Sequence, residues 1–337
     1  MRTVSGCRVR LRGKAATMHR RKVPARMPSP VLVGGSGAAG LRRPPAGPDA
    51  LFLTTNQAAA RFAALMRRPR RSAITFPGDP RVPPETTSEP IRTKSGIQEF
   101  YNDPDVVGSY IAVRISEPFN TVLHERQVGF LNRVIGDLRP QRVLEVAVGP
   151  GRLSAEVRAV SAMVGMDGSP NMLAEARRRT RARGLAWSFV RGDGFSLPFA
   201  SGSFDLVYTL RFIRHFDRSG RETLYRELKR VLRPGGHLVL DAQNRLVSLP
   251  HRVKQGLHTY KVYDELWLRE ELIAELEGAG LVPRRVEGVM RRFTWQRRLN
   301  RLRYLRLGPP ARLLIRALEW SPDRNPSTWM VLCQAAG

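Results

Sequence analysis

The chain has 337 residues and a formal charge of +28, with 57 Lys and Arg against 29 Asp and Glu, enough length for one large domain or two small ones. Two cysteines exclude a disulfide framework, no run approaches the roughly 18 apolar residues of a membrane span, and no Cys/His cluster has metal-ligand spacing. The composition reads as that of a soluble, cytoplasmic protein.

Residues 1–95 hold 19 of the basic residues and 4 of the acidic ones, none of the latter before Asp49. Rich in Pro, Gly and Arg, this stretch cannot bury enough apolar surface to offset chain entropy, and it reads as a disordered extension. Its one helical candidate is Gln57 to Arg68. Three readings stay open: an Arg-rich transit peptide, an arm for nucleic acid or an anionic membrane, and a functionless segment upstream of a misassigned start. The last is favoured by the absence of any periodicity. The folded part, 96–337, begins near Ile97 with N-terminal helices over 96–140, of which Leu123 to Leu138 is the clearest.

Between Val143 and Asp167 an apolar run, Val143-Leu144-Glu145-Val146, leads into Gly149-Pro150-Gly151 and a helical stretch. A second apolar run, Met163 to Met166, then ends in Asp167. A strand, a glycine turn, a helix and a strand with an acidic tip hold a nucleoside against the open end of a parallel sheet. Asp167 follows Glu145 by 22 positions, a spacing suited to a carboxylate that binds both ribose hydroxyls. A dinucleotide fingerprint needs a third glycine, where this chain has Ser154, and Glu145 would repel a pyrophosphate but suit a cationic amino-acid moiety. The balance favours S-adenosylmethionine over a nicotinamide cofactor.

Further along, Ser169 or Asp167 caps a helix opened by Pro170 and running to about Arg183, and Trp187 to Val190 is a third strand. Phe204 to Tyr208 is the fourth strand, Arg221 to Leu232 a helix stopped by Pro234-Gly235-Gly236, and His237 to Leu240 the fifth strand. Alternating helices and parallel strands make a doubly wound sheet with helices on both faces. An insertion, 290–322, carries arginines interleaved with Phe293, Trp295 and Tyr304, and a helix from Pro310 to Trp320. Leu299, Leu302 and Leu305 have the spacing of an amphipathic helix covering the sheet; contact with an anionic membrane or acidic substrate, and with nucleic acid, are the alternatives.

Four segments now line up in one order: Leu144 to Leu153, Val164 to Leu173, Gly192 to Phe199 with Ser203 to Val207, and Leu232 to Gly236. Together they resemble the class I S-adenosylmethionine-dependent methyltransferases, of the broad type 11 group that includes quinone, lipid and small-molecule methyltransferases. The resemblance covers residues 143–241 and implies a Rossmann-like sheet of seven strands with a closing antiparallel pair, Leu281 to Val289 and Thr328 to Cys333. It implies that Glu145 lies near the amino-acid end of S-adenosyl-L-methionine, with Ala147, Gly149 and Gly151 as a backbone bed. Asp167 would hold the ribose, Gly168 and Ser169 would flank the adenine, and Asp193, beside Gly194, would accept its amino group. Ala147 departs from the family, which most often has glycine there. Tyr101, Tyr110 and Arg114 become lid residues shaping the substrate pocket.

The segment Leu210 to His215 follows the fourth strand and would face the transferable methyl. It lacks the Asn/Asp-Pro-Pro-Tyr/Phe of many base-amino methyltransferases, which argues against nucleic acid. His215 is the candidate general base and Arg211 a substrate contact. The expected activity is methyl transfer to a small-molecule or lipid-like acceptor. The rivals are an RNA methyltransferase, a non-catalytic partner subunit on the same fold, and an NAD-dependent enzyme.

Overall fold

The computed structural model describes residues 89–158, 160–322 and 325–336. The Gln57–Arg68 helix and the readings of the extension up to residue 88 lie outside them. Ile91, read above as part of the extension, already bridges Val262, and the first helix, α1 (Lys94–Asn102), starts three residues later. Helix α2 (Pro104–Ile115) follows a single linking residue, Asp103, whose carboxylate accepts the N–H of Asp105 at 2.8 Å while Pro104 opens the helix. The long α3 (Pro118–Leu138) then leads into the sheet.

Five parallel strands come first: β1 (Arg142–Val146), β2 (Ala162–Asp167), β3 (Trp187–Arg191), β4 (Phe204–Thr209) and β5 (Leu232–Gln243). β6 (Leu281–Val289) and β7 (Thr328–Ala335) complete an order of β3-β2-β1-β4-β5-β7-β6, with β7 antiparallel to both neighbours. The side-chain period of two assigns the core. Leu144 and Val146 face one side, where Tyr225 and Leu228 of α5 (Arg218–Val231) and Leu272 of α7 (Arg269–Gly278) pack. Val143, Leu206 and Tyr208 face the other, against Phe130, Leu131 and Val134 of α3. Burial on both faces is why these strands are nearly unbroken apolar runs.

Several boundaries differ from expectation. The stretch after Gly151 is a run of tight turns, not a regular helix, although Ala155 and Val157 still make helix-like bonds to the carbonyls of Gly151 and Leu153. α5 ends at Val231, and β5 begins at once, because Leu232 pairs with Phe204 before the Pro-Gly-Gly turn chemistry acts. α6 (Arg245–Gln255) and α7 were not foreseen. α6 carries Pro250 in its interior, a residue that reads in sequence as a helix breaker.

The insertion is not one amphipathic helix. It forms α8 (Phe293–Leu299), a 3₁₀ segment (Asn300–Leu305) and α9 (Gly308–Leu318). Leu299 and Leu302 are buried but Leu305 is exposed, since Arg306 turns left-handed and reverses the chain. The insertion is fastened to the start of α3 rather than laid on the sheet: the Asn300 side chain accepts from the N–H of Phe119 and donates to Glu117. Buried Glu319 closes it from behind by accepting from the N–H groups of Met290 and Arg291 and from Gln296. Among the described residues no helix is long and apolar enough to cross a membrane.

Candidate active site at the switch point of the sheet

The strand order reverses between β1 and β4, and in open α/β sheets the crevice beyond the strand ends at that point is where ligands bind. A cavity of about 240 Å³ lies there, lined by the residues after β1, β2, β3 and β4 and covered by α1 and α2. Three residues of the β1 turn have left-handed backbone: Ala147 (φ 57°), Gly149 (55°) and Gly151 (71°). Ala147 and Gly149 line the cavity, and a Cβ on Gly149 would project into open space. Gly151 does not line it. There a Cβ would meet the Cα of Ala176 at 2.9 Å, so this glycine lets α4 (Pro170–Ala182) pack close.

Asp167, at the tip of β2, ties the two neighbouring turns together. Its Oδ2 accepts the N–H of Gly149 and its Oδ1 the N–H of Ser169, both at 2.8 Å. Burial raises its carboxyl above the ordinary value against the pull of these backbone donors. Gly168 and Ser169 line the cavity beside it, and Ser169 also caps α4 through the N–H of Met172. The Ser169 hydroxyl donates to Asn102, which fastens α1 across this edge.

Glu145 lies outside the cavity lining, one layer behind it. The β1 alternation places it with Val143 on the α3 side, where its Oε2 accepts from Ser154 at 2.6 Å and from buried Tyr208 at 2.9 Å. Ser154, standing where a dinucleotide site has glycine, therefore serves this carboxylate. Burial pushes the Glu145 carboxyl up to about 7.

Asp193 and Gly194 form the far rim. Asp193 accepts from Lys94 of α1 through one oxygen and from the N–H of Phe195 through the other, so neither is idle. A Cβ on Gly194 would strike the Phe212 ring at 2.9 Å.

A second cavity, of about 470 Å³, adjoins the first; Tyr101, Arg211 and His215 line both. Arg114 lines the second and Tyr110 the first. His215 is buried in the 3₁₀ turn after β4 (Ile213–His215), its Nδ1 2.9 Å from the Tyr263 carbonyl and 3.0 Å from Asp264. A carbonyl only accepts, so the proton sits on Nδ1 and Nε2 is left to face the Tyr101 hydroxyl at 3.3 Å. Burial alone would raise the Asp264 carboxyl, but Arg214, with His215 and Arg252, holds it well below the usual carboxylate range. Sequence reasoning missed Asp264, Tyr263, Lys94 and Gln98; none stands in a motif, and only the fold brings them here. Burial pushes the Tyr101 hydroxyl up. It would do the same to Tyr110, but Arg211, Arg114 and Arg152 outweigh it and bring that hydroxyl below its ordinary value. Among the described residues no group of His, Cys, Asp and Glu is arranged to hold a metal ion.

The seven-stranded sheet, with its order and closing antiparallel pair, has the class I S-adenosylmethionine-dependent methyltransferase fold. Residues 143–236 match the methyltransferase domain family. It is 44% identical over 104 residues to a demethylmenaquinone methyltransferase of Thermus thermophilus, covering 30% of this chain and 46% of that one. It is 32% identical over 146 residues to a malonyl-[acyl-carrier protein] O-methyltransferase of Legionella pneumophila, covering 41% and 50%. The chain thus spans about half the length of these curated relatives. Magnesium protoporphyrin IX methyltransferase from Synechocystis, solved with bound S-adenosylhomocysteine, shares the fold at a TM-score of 0.51 and 15% identity, over 72% of this chain and all of that one.

Proposed function

We propose that the protein transfers a methyl group from S-adenosyl-L-methionine to a small-molecule or lipid-like acceptor, with the first cavity holding the cofactor and the second the acceptor. The observation that carries this reading is the pairing of Asp167 with the open, Cβ-free turn at Gly149 inside one cavity. Asp167 keeps lone pairs beyond its two backbone bonds for a ribose diol. Gly168 and Ser169 would flank the adenine, Asp193 and Gly194 would border it, and Ala147 with Gly149 would lie under the chain to the sulfur. Glu145 would act from behind, as a positioning residue that braces the turn through Ser154.

When bound, the cofactor supplies a methyl group on a cationic sulfur, an electrophile that needs little activation. The remaining work falls to the chain: aligning the acceptor atom, excluding water and receiving a proton where the acceptor carries one. His215 Nε2 stands at the junction of the two cavities with its tautomer fixed by Tyr263 and Asp264, which suits it to take that proton. Tyr101, Tyr110 and Arg114 would close the site from the helical side, with Arg211 opposite.

Calorimetric titration of S-adenosylhomocysteine into the full chain tests the proposal. Micromolar affinity, on the order of 8 kcal/mol, is expected, with loss in Asp167→Ala. No binding by the unaltered protein would reject the enzyme reading.

A further inference from the structure

The second cavity has an unbalanced charge. Six cations line it, Arg114, Arg211, Arg214, Arg252, Lys261 and Arg297, against a single carboxylate, Asp264. That carboxylate is already committed, to Arg214 at 2.9 Å, Arg252 at 2.7 Å and His215 at 3.0 Å. Arg297 is paired at 3.7 Å with Glu117 outside the cavity. Among the described residues no carboxylate pairs with Arg114, Arg211 or Lys261.

Arg211 is the most informative of these. Its backbone is left-handed (φ 65°), an arrangement that a side chain with a Cβ adopts at a cost, and Asp241 holds it there by accepting its N–H at 2.6 Å. Its side-chain Nε is buried and has no hydrogen-bond partner. Arg114 lies over the face of the Tyr110 ring, 5.3 Å from its centre, and Tyr110 lines the first cavity. Burial, with the positive field of Arg114 and Arg214, brings the Arg211 guanidinium down to about 9. Buried guanidinium without a counter-charge is unfavourable, and planar carboxylate or phosphate is the group it accepts best. Left-handed backbone and an unpartnered, buried Nε thus coincide at one residue that an anion would suit.

We propose that the acceptor is an anion, an apolar or aromatic body bearing a carboxylate or phosphate that seats between Arg114 and Arg211 where the two cavities meet. The inference rests on the methyltransferase reading, since it names the acceptor for that site. The aromatic walls, Phe100, Phe119 and Phe293, receive the apolar body. Charge at this end fixes which atom of the acceptor is presented to His215 and the methyl, so the arginines act as positioning residues.

The test titrates benzoate and phenyl phosphate, with benzamide as the neutral isostere, into the full chain with and without saturating S-adenosylhomocysteine. Physiological ionic strength suppresses diffuse attraction to so basic a protein. Both anions, or one of them, should bind at least about tenfold tighter than benzamide, and Arg114→Gln should remove that preference while S-adenosylhomocysteine affinity, the check on folding, holds. Arg211→Gln should also remove the anion preference, its folding checked by thermal unfolding because Arg211 lines the first cavity as well, and Arg114→Lys should restore part of the preference. The stronger anion identifies carboxylate or phosphate as the recognised group. Equal binding of anions and benzamide, no anion binding at all, or a preference that survives both Gln variants would overturn the proposal. Failure of S-adenosylhomocysteine to bind would reject the cofactor reading instead, and the titrations without it would still decide the anion site.

Discussion

Replacing Asp167 by Asn changes one oxygen to an NH₂ group, and the structure makes that substitution far from conservative. Both carboxylate oxygens accept a backbone N–H at 2.8 Å, Oδ2 from Gly149 and Oδ1 from Ser169. Whichever way the amide turns, one backbone donor faces another donor. Leaving a buried donor unsatisfied costs about 1–3 kcal/mol. For a folded domain of 150–250 residues each kcal/mol shifts the melting temperature by about 2–4 °C, so Asp167→Asn should melt roughly 2–12 °C lower. The same displacement disturbs the Gly149 turn and removes one of the two oxygens proposed to receive the ribose diol. S-adenosylhomocysteine affinity should therefore fall by about 10- to 100-fold. Thermal unfolding and calorimetric titration of the two proteins read both effects. An Asn variant that melts and binds like the parent would refute the claim that Asp167 organises the site through two acceptor contacts.

Ala147→Gly relieves a left-handed alanine, worth about 1–2 kcal/mol against roughly 0.5–1 kcal/mol for the added chain freedom of glycine. A small gain in the urea midpoint with undiminished cofactor affinity is expected, and a clear loss would contradict the strain argument. Glu145→Gln keeps an oxygen for Ser154 and Tyr208 but removes the ionisation. Because burial lifts the Glu145 carboxyl from 4.5 to about 7, the native protein is most stable with this group neutral. Stability falls as pH rises from 4.5 to 7 and levels above it, by on the order of 3 kcal/mol for this group. Urea titrations across that window should show the parent losing ground to the Gln variant, and parallel profiles would count against the buried carboxylate. Arg221 donates twice to Glu275 at 2.7 Å and once to the Phe216 carbonyl, so Arg221→Met strands a partly buried acid. A loss of about 3–5 kcal/mol in urea unfolding is expected, and a variant within error of the parent would exclude that network as a support.

The parallel strands were legible because they are largely apolar, as in Val143 to Val146 and Met163 to Met166, and burial on both faces of a parallel sheet demands such runs. Asp167 was legible for a related reason: the tip of β2 puts any acid there at the mouth of the crevice. Glu145 was placed too near the mouth, because a motif gives the position along β1 while strand alternation decides the face. The departure at Ala147 was legible as a residue change, but its left-handed backbone was not, since only the folded chain discloses it. The residues that orient His215 come from an irregular segment with no hydrophobic period, so no pattern in the sequence could connect Tyr263 and Asp264 to it.

Helix α1 borders both cavities. Lys94 and Gln98 face the smaller one, Phe100 the larger, and Tyr101 stands in both. The two chambers therefore share a wall, and whatever steadies that wall from one side steadies it from the other. A guest docked against Tyr101 on one side would add contacts to the helix that also borders the other side. By thermodynamic reciprocity any coupling carried through that shared helix would be equal in both directions.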